Sequence, residues 1–235
     1  WIDEHLDNSE NSILLDSSFT VCLDSLADSE QNNGLFFHVS KPPKEESPAG
    51  KFYNDIQEIA QQQNYNMNIS MIHKKINLAE EMLSWEHERF SIRRLPAFTL
   101  SSIINPKSLN RRTISDVYQK KYTKSLVRNT KIIAEALARQ LYDMENLSLF
   151  NSELKVSETL INSLLVQISS NSRAQQLLLS KQKGVHTELP PVLATFEQIL
   201  TKFVKDVKLF NYKIDKSEPE VVFYEPSNTI MDIYK

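Results

Sequence analysis

Two residues in this sequence stand where metal chemistry gathers, and both do so by position. Asp24 follows directly on the strand-like run Phe19–Leu23 (FTVCL), and His87 lies shortly before the apolar run Leu95–Leu100 (LPAFTL). Open α/β sheets collect ligands at the carboxyl ends of their strands. An aspartate oxygen with an imidazole nitrogen suits zinc, but a pair of co-catalytic ions needs about five ligating groups plus a carboxylate base. Two groups are therefore not a site by themselves. Taken singly, His87 reads as a hydrogen-bonded loop histidine and Asp24 as a cap or turn residue. His5, His38, His73 and His186 have no partner that the sequence positions.

Other chemistries are excluded by spacing. The three glycines, at 34, 50 and 184, cannot make a dinucleotide fingerprint or a P-loop. No G-x-S-x-G is present, so a nucleophile elbow is ruled out. The segment SWEHERF invites a zinc helix, yet H-E-x-x-H would need histidine where Ser91 stands, and H-x-x-E-H would need it where Leu83 stands. Cys22 is the sole cysteine, which forbids an internal disulfide and a cysteine zinc cluster and leaves the compartment open. Two sequons occur, Asn68-Ile69-Ser70 and Asn146-Leu147-Ser148. Asn146 is the better glycosylation candidate, because it follows a long helix in an exposed connection whereas Asn68 opens a predicted strand.

The elements that must position Asp24 and His87 alternate. Phe19–Leu23 and Leu35–Val39 are short β-branched or aromatic runs, expected as neighbouring strands, with a turn signal at Asn33-Gly34. Residues 41–50 hold three prolines and a glycine and read as a loop, followed by a helix with Phe52, Ile56, Ile59 and Ala60 on one face. Residues 68–73 predict a strand, 82–94 a short helix with its entry loop, and 95–100 a strand covered on both faces. This order implies an α/β sheet with parallel members. From Tyr122 to Met144 runs a long amphipathic helix with Leu126, Ile133, Leu137 and Leu141 on one stripe and Ile132 and Ala136 beside it. Further helices are expected at 152–169, between 172 and 181, and from Pro190-Pro191 through Leu193, Phe196, Leu200, Phe203, Val204, Val207 and Phe210. A last extended segment VVFYEP precedes a helix start capped by Ser227. The domain division that follows is 1–145, the second half of an α/β domain, and 146–235, a helical extension.

Of the 235 residues, 40% are hydrophobic and 24% charged, the balance of a globular chain. No apolar window reaches the length of a membrane span, and the acidic first residues do not resemble a secretory signal. With Trp1 at its start and a first segment reading as the end of a helix, the chain looks like a piece of something longer. The net charge of −3 conceals an acidic first quarter and a basic remainder. Residues 105–131 carry eight Lys or Arg against one Asp. That run admits a nucleic-acid reading, but it holds no binding motif and no stacking platform, so a solvated face is preferred.

The segments LFFHVSKPPKE, SMIHKKINLAEEMLSWEHERFSIRRLPAFTLS, RNTKIIAEALARQLY followed by NLS, FVKDVK and EPEVVFYE, in that order over essentially the whole chain, resemble the carboxyl-terminal luminal portion of the nicalin family. These are nicastrin-like proteins of the endoplasmic reticulum membrane. The resemblance implies a fold similar to the two-zinc aminopeptidases, in which Asp24 and His87 occupy the places of zinc ligands. It also shows departures: Asp24-Ser25-Leu26-Ala27 replaces the peptidase D-M-x-G, and Glu86 stands where an Asp precedes the final His. The remaining ligands and the catalytic Glu would lie upstream of Trp1.

What the family implies is a pseudo-enzyme with no catalytic residue, no cofactor and no working metal site, Asp24 and His87 being vestigial. It implies assembly with the Nodal modulator protein and a small polytopic membrane protein, association with the translocon and ribosome in multi-pass membrane protein biogenesis, and a link to antagonism of Nodal signalling. No nucleic acid would be bound directly, and a membrane helix would follow Lys235. An active two-zinc aminopeptidase using Asp24 and His87 with upstream ligands is the competing reading. A cytosolic module binding RNA through 105–131 ranks below both. Partner contacts are expected on the exposed side of the helices between 122 and 211.

Overall fold

The computed structural model describes Ile2, Leu6 and residues 13–27, 33–79, 82–108, 111, 118–144, 148–150, 154–169, 181–183, 186–188, 191–205 and 207–208. The expected helix between 172 and 181, the segment VVFYEP, the helix start at Ser227 and the sequon at Asn146 lie outside these residues. In chain order the elements are α1 (Ile13–Asp16), β1 (Thr20–Leu23), β2 (Gly34–Val39), α2 (Pro48–Gln62), β3 (Asn68–His73), α3 (His87–Ile92), β4 (Ala97–Ser101), α4 (Tyr122–Tyr142), α5 (Glu158–Ser169), β5 (Lys181–Lys183), β6 (His186–Glu188) and α6 (Pro191–Phe203). The chain divides into two compact units, 1–162 and 163–235, with the division inside α5.

The first unit is built on a four-stranded sheet in the order β1-β4-β2-β3. β1 and β4 pair in parallel, as do β2 and β3, while β2 and β4 run antiparallel. The expectation that β1 and β2 are neighbours is therefore corrected: β4 lies between them. Burial explains the order. All six residues of β2 are buried, as are four of the five in β4, so these two apolar strands take the centre. β1 and β3 are only partly buried and take the edges. Gly34, read as part of a turn, is instead the first residue of β2 and pairs with Asn68.

One face of the sheet presents Leu35, Phe37, Val39, Phe98 and Leu100 to α2 and α4. Phe98 stacks on Phe37 at 4.0 Å between centroids and lies 5.4 Å from Phe19 and 5.6 Å from Phe52. Each buried aromatic ring contributes about 1.5–3 kcal/mol of transfer free energy. α2 begins at Pro48, inside the expected loop, because Ser47 caps it by accepting the Gly50 N–H at 3.2 Å and Pro48 suits the first turn.

The buried side of α4 differs from the expected stripe. It carries Thr123, Ser125, Asn129, Ile132, Ile133, Glu135, Ala136, Ala138 and Arg139, whereas Leu141 is 79% exposed. Asn129 sets this rotation by donating through Nδ2 to the Leu26 carbonyl at 2.7 Å and to Ser102 Oγ at 3.2 Å. Further along, Glu135 accepts from Gln63 Nε2 at 3.2 Å, and the Arg139 guanidinium reaches Glu58 and Glu135 at 3.6 Å and Gln62 Oε1 at 2.9 Å. Burial pushes the Glu135 carboxyl upward, with Arg139 opposing.

In the second unit, α6 follows the Pro190-Pro191 start signal as expected, and Gln167 Nε2 donates to Thr195 Oγ1 at 3.0 Å. A two-stranded antiparallel ribbon, β5 with β6, adds to an extension read as helical. Among the described residues, no helix is long and apolar enough to cross a membrane.

Candidate functional site

The second face of the sheet carries polar side chains beside Phe36 and the small apolar cluster of Leu14, Cys22, Phe90 and Leu95. Because side chains alternate along a strand, Cys22, Thr99 and His38, aligned across β1, β4 and β2, face away from the phenylalanine core. Thr99 is fully buried and His38 is 2% exposed. His38 Nε2 lies 2.8 Å from the Ile103 carbonyl, which only accepts, so this nitrogen carries the proton. Its ring stands 4.1 Å from that of Trp85.

His87 opens α3 and is 1% exposed, with Nδ1 at 2.8 Å from Thr99 Oγ1. Its Nε2 is buried with no hydrogen-bond partner among the described residues. One residue on, Glu88 Oε2 accepts the Ser84 N–H at 3.0 Å and so fixes the entry to α3. Burial lowers both imidazoles to about 4, a shift that the Ile103 hydrogen bond opposes at His38 and that the charge of His38 reinforces at His87. Both are neutral at pH 7. Burial, with Glu86 next, raises the Cys22 thiol to about 11, which removes it as a nucleophile.

Asp24 leaves β1 with its N–H on the Leu100 carbonyl at 3.1 Å. Ser25 then takes the left-handed conformation (φ 50°) and donates its hydroxyl to Asp24 Oδ1 at 2.7 Å. The other oxygen, Oδ2, accepts from Arg111 Nε at 3.1 Å and Nη2 at 2.6 Å. Arg111 Nη1 donates to the Ser84 carbonyl at 2.8 Å and the Pro106 carbonyl at 3.1 Å, and its guanidinium carbon lies 4.4 Å above the Trp85 ring.

Asp24 and His87 thus lie in one connected cluster, joined through Arg111, Trp85, His38 and Thr99. Both oxygens of Asp24 are already engaged, one of them by a fixed cation, and among the described residues no three His, Cys, Asp or Glu side chains group to hold a metal. Among the described residues, Asp24 and His87 do not supply the donor set that the ion pair of a two-zinc peptidase needs. Sequence reasoning missed Arg111, which it counted within a solvated basic run, and His38, for which it named no partner. An inward-facing histidine within the apolar strand LFFHV was the one available signal; Arg111 lies 87 positions from Asp24 and gave none.

A mixed four-stranded sheet with helices on both faces, and a strand-end carboxylate neutralised by an internal arginine, defines an α/β domain whose polar site is closed by its own side chains. No family model matches the chain. It is 38% identical over 242 aligned positions to the BOS complex subunit NCLN of Rattus norvegicus and 36% identical to that of Homo sapiens. Both matches cover all of this chain and 41% of the relative. Nicalin of Caenorhabditis elegans is 27% identical over 162 positions, covering 61% of this chain and 27% of that protein. The chain is a homologue of nicalin, the BOS complex subunit NCLN, along its whole length, and corresponds to the carboxyl-terminal part of relatives of which it spans 41%.

Proposed function

We propose that this chain is the carboxyl-terminal luminal part of a non-catalytic, aminopeptidase-like subunit of an endoplasmic reticulum membrane complex. The observation that carries the reading is the commitment of Asp24 to Arg111 and Ser25, which leaves its carboxylate unavailable to a catalytic metal. The similarity to proteins named as BOS complex subunits supports a role within an assembly. Its partners are the Nodal modulator protein and a small polytopic membrane protein, associated with the translocon during multi-pass membrane protein biogenesis, with a further link to antagonism of Nodal signalling. Anchoring is through a membrane helix beyond Lys235. Of the two sequons, Asn146 is the glycosylation site in preference to Asn68, which opens β3.

Metal content of the full-length protein by mass spectrometry, for wild type and His87→Ala, tests the central claim. The expected result is no stoichiometric zinc in either and no aminopeptidase activity. The buried Nε2 of His87, which has no hydrogen-bond partner among the described residues, is the feature that favours the competing zinc-peptidase reading. Near-stoichiometric zinc that disappears in His87→Ala, together with peptide hydrolysis, would establish that alternative.

A further inference from the structure

The position at the end of β1 is organised like a cation site, with the cation supplied by the chain. Arg111 offers five N–H donors in a fixed plane, and four of them have acceptors. These acceptors belong to three separate segments: Asp24 after β1, Ser84 before α3, and Pro106 after β4. A fourth element, β2, joins through the tilted contact of the His38 ring with Trp85, over which the guanidinium lies. One carboxylate and two backbone carbonyls converging on a positive charge are the oxygen donors that a hard cation gathers from loops. Guanidinium meets them with directional N–H donors and a flat face, which lysine cannot reproduce. The side chains of Arg111 and Asp24 are only 19% and 28% exposed, so water replaces these contacts incompletely.

Building on the non-catalytic reading above, we propose that the Arg111 guanidinium is the resident cation of this site. It ties together the loops after β1 and β4 and the entry to α3, the structural task a bound metal performs at a strand end. Binding requires guanidinium chemistry: planar, permanently charged, donating in several directions at once.

The test is chemical rescue in the full-length protein. Arg111→Ala is expected to raise the unfolding equilibrium constant on the order of 10- to 100-fold. Millimolar guanidinium chloride is expected to raise the thermal midpoint of that variant and leave wild type unchanged, while potassium chloride at equal ionic strength does neither. If Arg111→Ala fails to fold, Arg111→Lys and Asp24→Asn take its place. Each is expected to destabilise, and the double variant to do so by less than the sum, since both remove one contact. A variant as stable as wild type, an Arg111→Ala midpoint indifferent to guanidinium, or strict additivity of the double variant would overturn the proposal. Any of these with zinc still absent from wild type leaves the non-catalytic reading standing, whereas zinc bound by wild type removes both.

Discussion

At the scale of single residues, the two buried imidazoles make stability depend on pH in a defined direction. His38 and His87 titrate near 4 in the folded chain and near 6.5 when unfolded. Between these values the unfolded chain binds protons that the folded one refuses. Stability is therefore fully present above pH 6.5 and is lost as the pH falls toward 4. Each histidine contributes a slope of up to about 1.4 kcal/mol per pH unit in that window. The groups around the pair act in opposite senses, Arg111 lowering the His38 value and Asp24 raising it. Urea unfolding at pH 7.5 and pH 5.0 is expected to show a loss of about 2–4 kcal/mol at the lower pH. His38→Gln, which retains a donor for the Ile103 carbonyl, is expected to halve the slope; an unchanged slope would place the titration elsewhere.

Elements are fixed by contacts that their own periodicity only partly encodes. Helix α2 owes its start to a tight loop: a Cβ at position 50 would lie 2.2 Å from the Lys44 carbonyl oxygen and 2.7 Å from that of Glu45. Gly50→Ala is expected to cost on the order of 1–3 kcal/mol, measurable as a lower urea midpoint with unchanged slope. Helix α4 offers a sharper contrast. Ile132 is fully buried against the sheet and Leu141 is 79% exposed, although both belong to the apolar pattern of that helix. Ile132→Ala is expected to cost about 2–5 kcal/mol. Leu141→Lys should change stability by less than about 0.5 kcal/mol, and a large loss there would mean that α4 is rotated from the position Asn129 gives it.

For the molecule as a whole, the aromatic cluster belongs to the first unit and the exposed apolar positions of α6, Phe196, Leu200 and Phe203, belong to the second. Phe98 touches Phe19, Phe37 and Phe52, so Phe98→Ala empties the centre of the sheet's packed face at a cost of about 3–5 kcal/mol. Hydrogen exchange is expected to accelerate throughout β2, β4, α2 and α4 in this variant, with exchange in α6 unchanged. Acceleration in α6 of the same size would show that the two units unfold as one. The proposed non-catalytic role belongs to this scale as well, since the first unit devotes its polar cluster to holding loops together, with both oxygens of Asp24 engaged by Ser25 and Arg111.

Local sequence was enough for the α/β class, the approximate extents of β1 to β4, α2 and α4, the start of α6, and the places of Asp24 just after β1 and of His87 shortly before β4. These depend on interactions between residues a few positions apart: apolar periodicity, the Pro190-Pro191 start signal, and the absence of Gly or Pro from Tyr122 to Met144. Tertiary structure decided what periodicity cannot reach. Insertion of β4 between β1 and β2 follows from which strands need cover on both faces. The rotation of α4 follows from an asparagine finding a carbonyl at Leu26. The fate of Asp24 follows from an arginine 87 positions away. A basic residue in a basic run carries no mark of the acid it will meet, because charge pairing is set by proximity in space, and that proximity exists only once the sheet has formed.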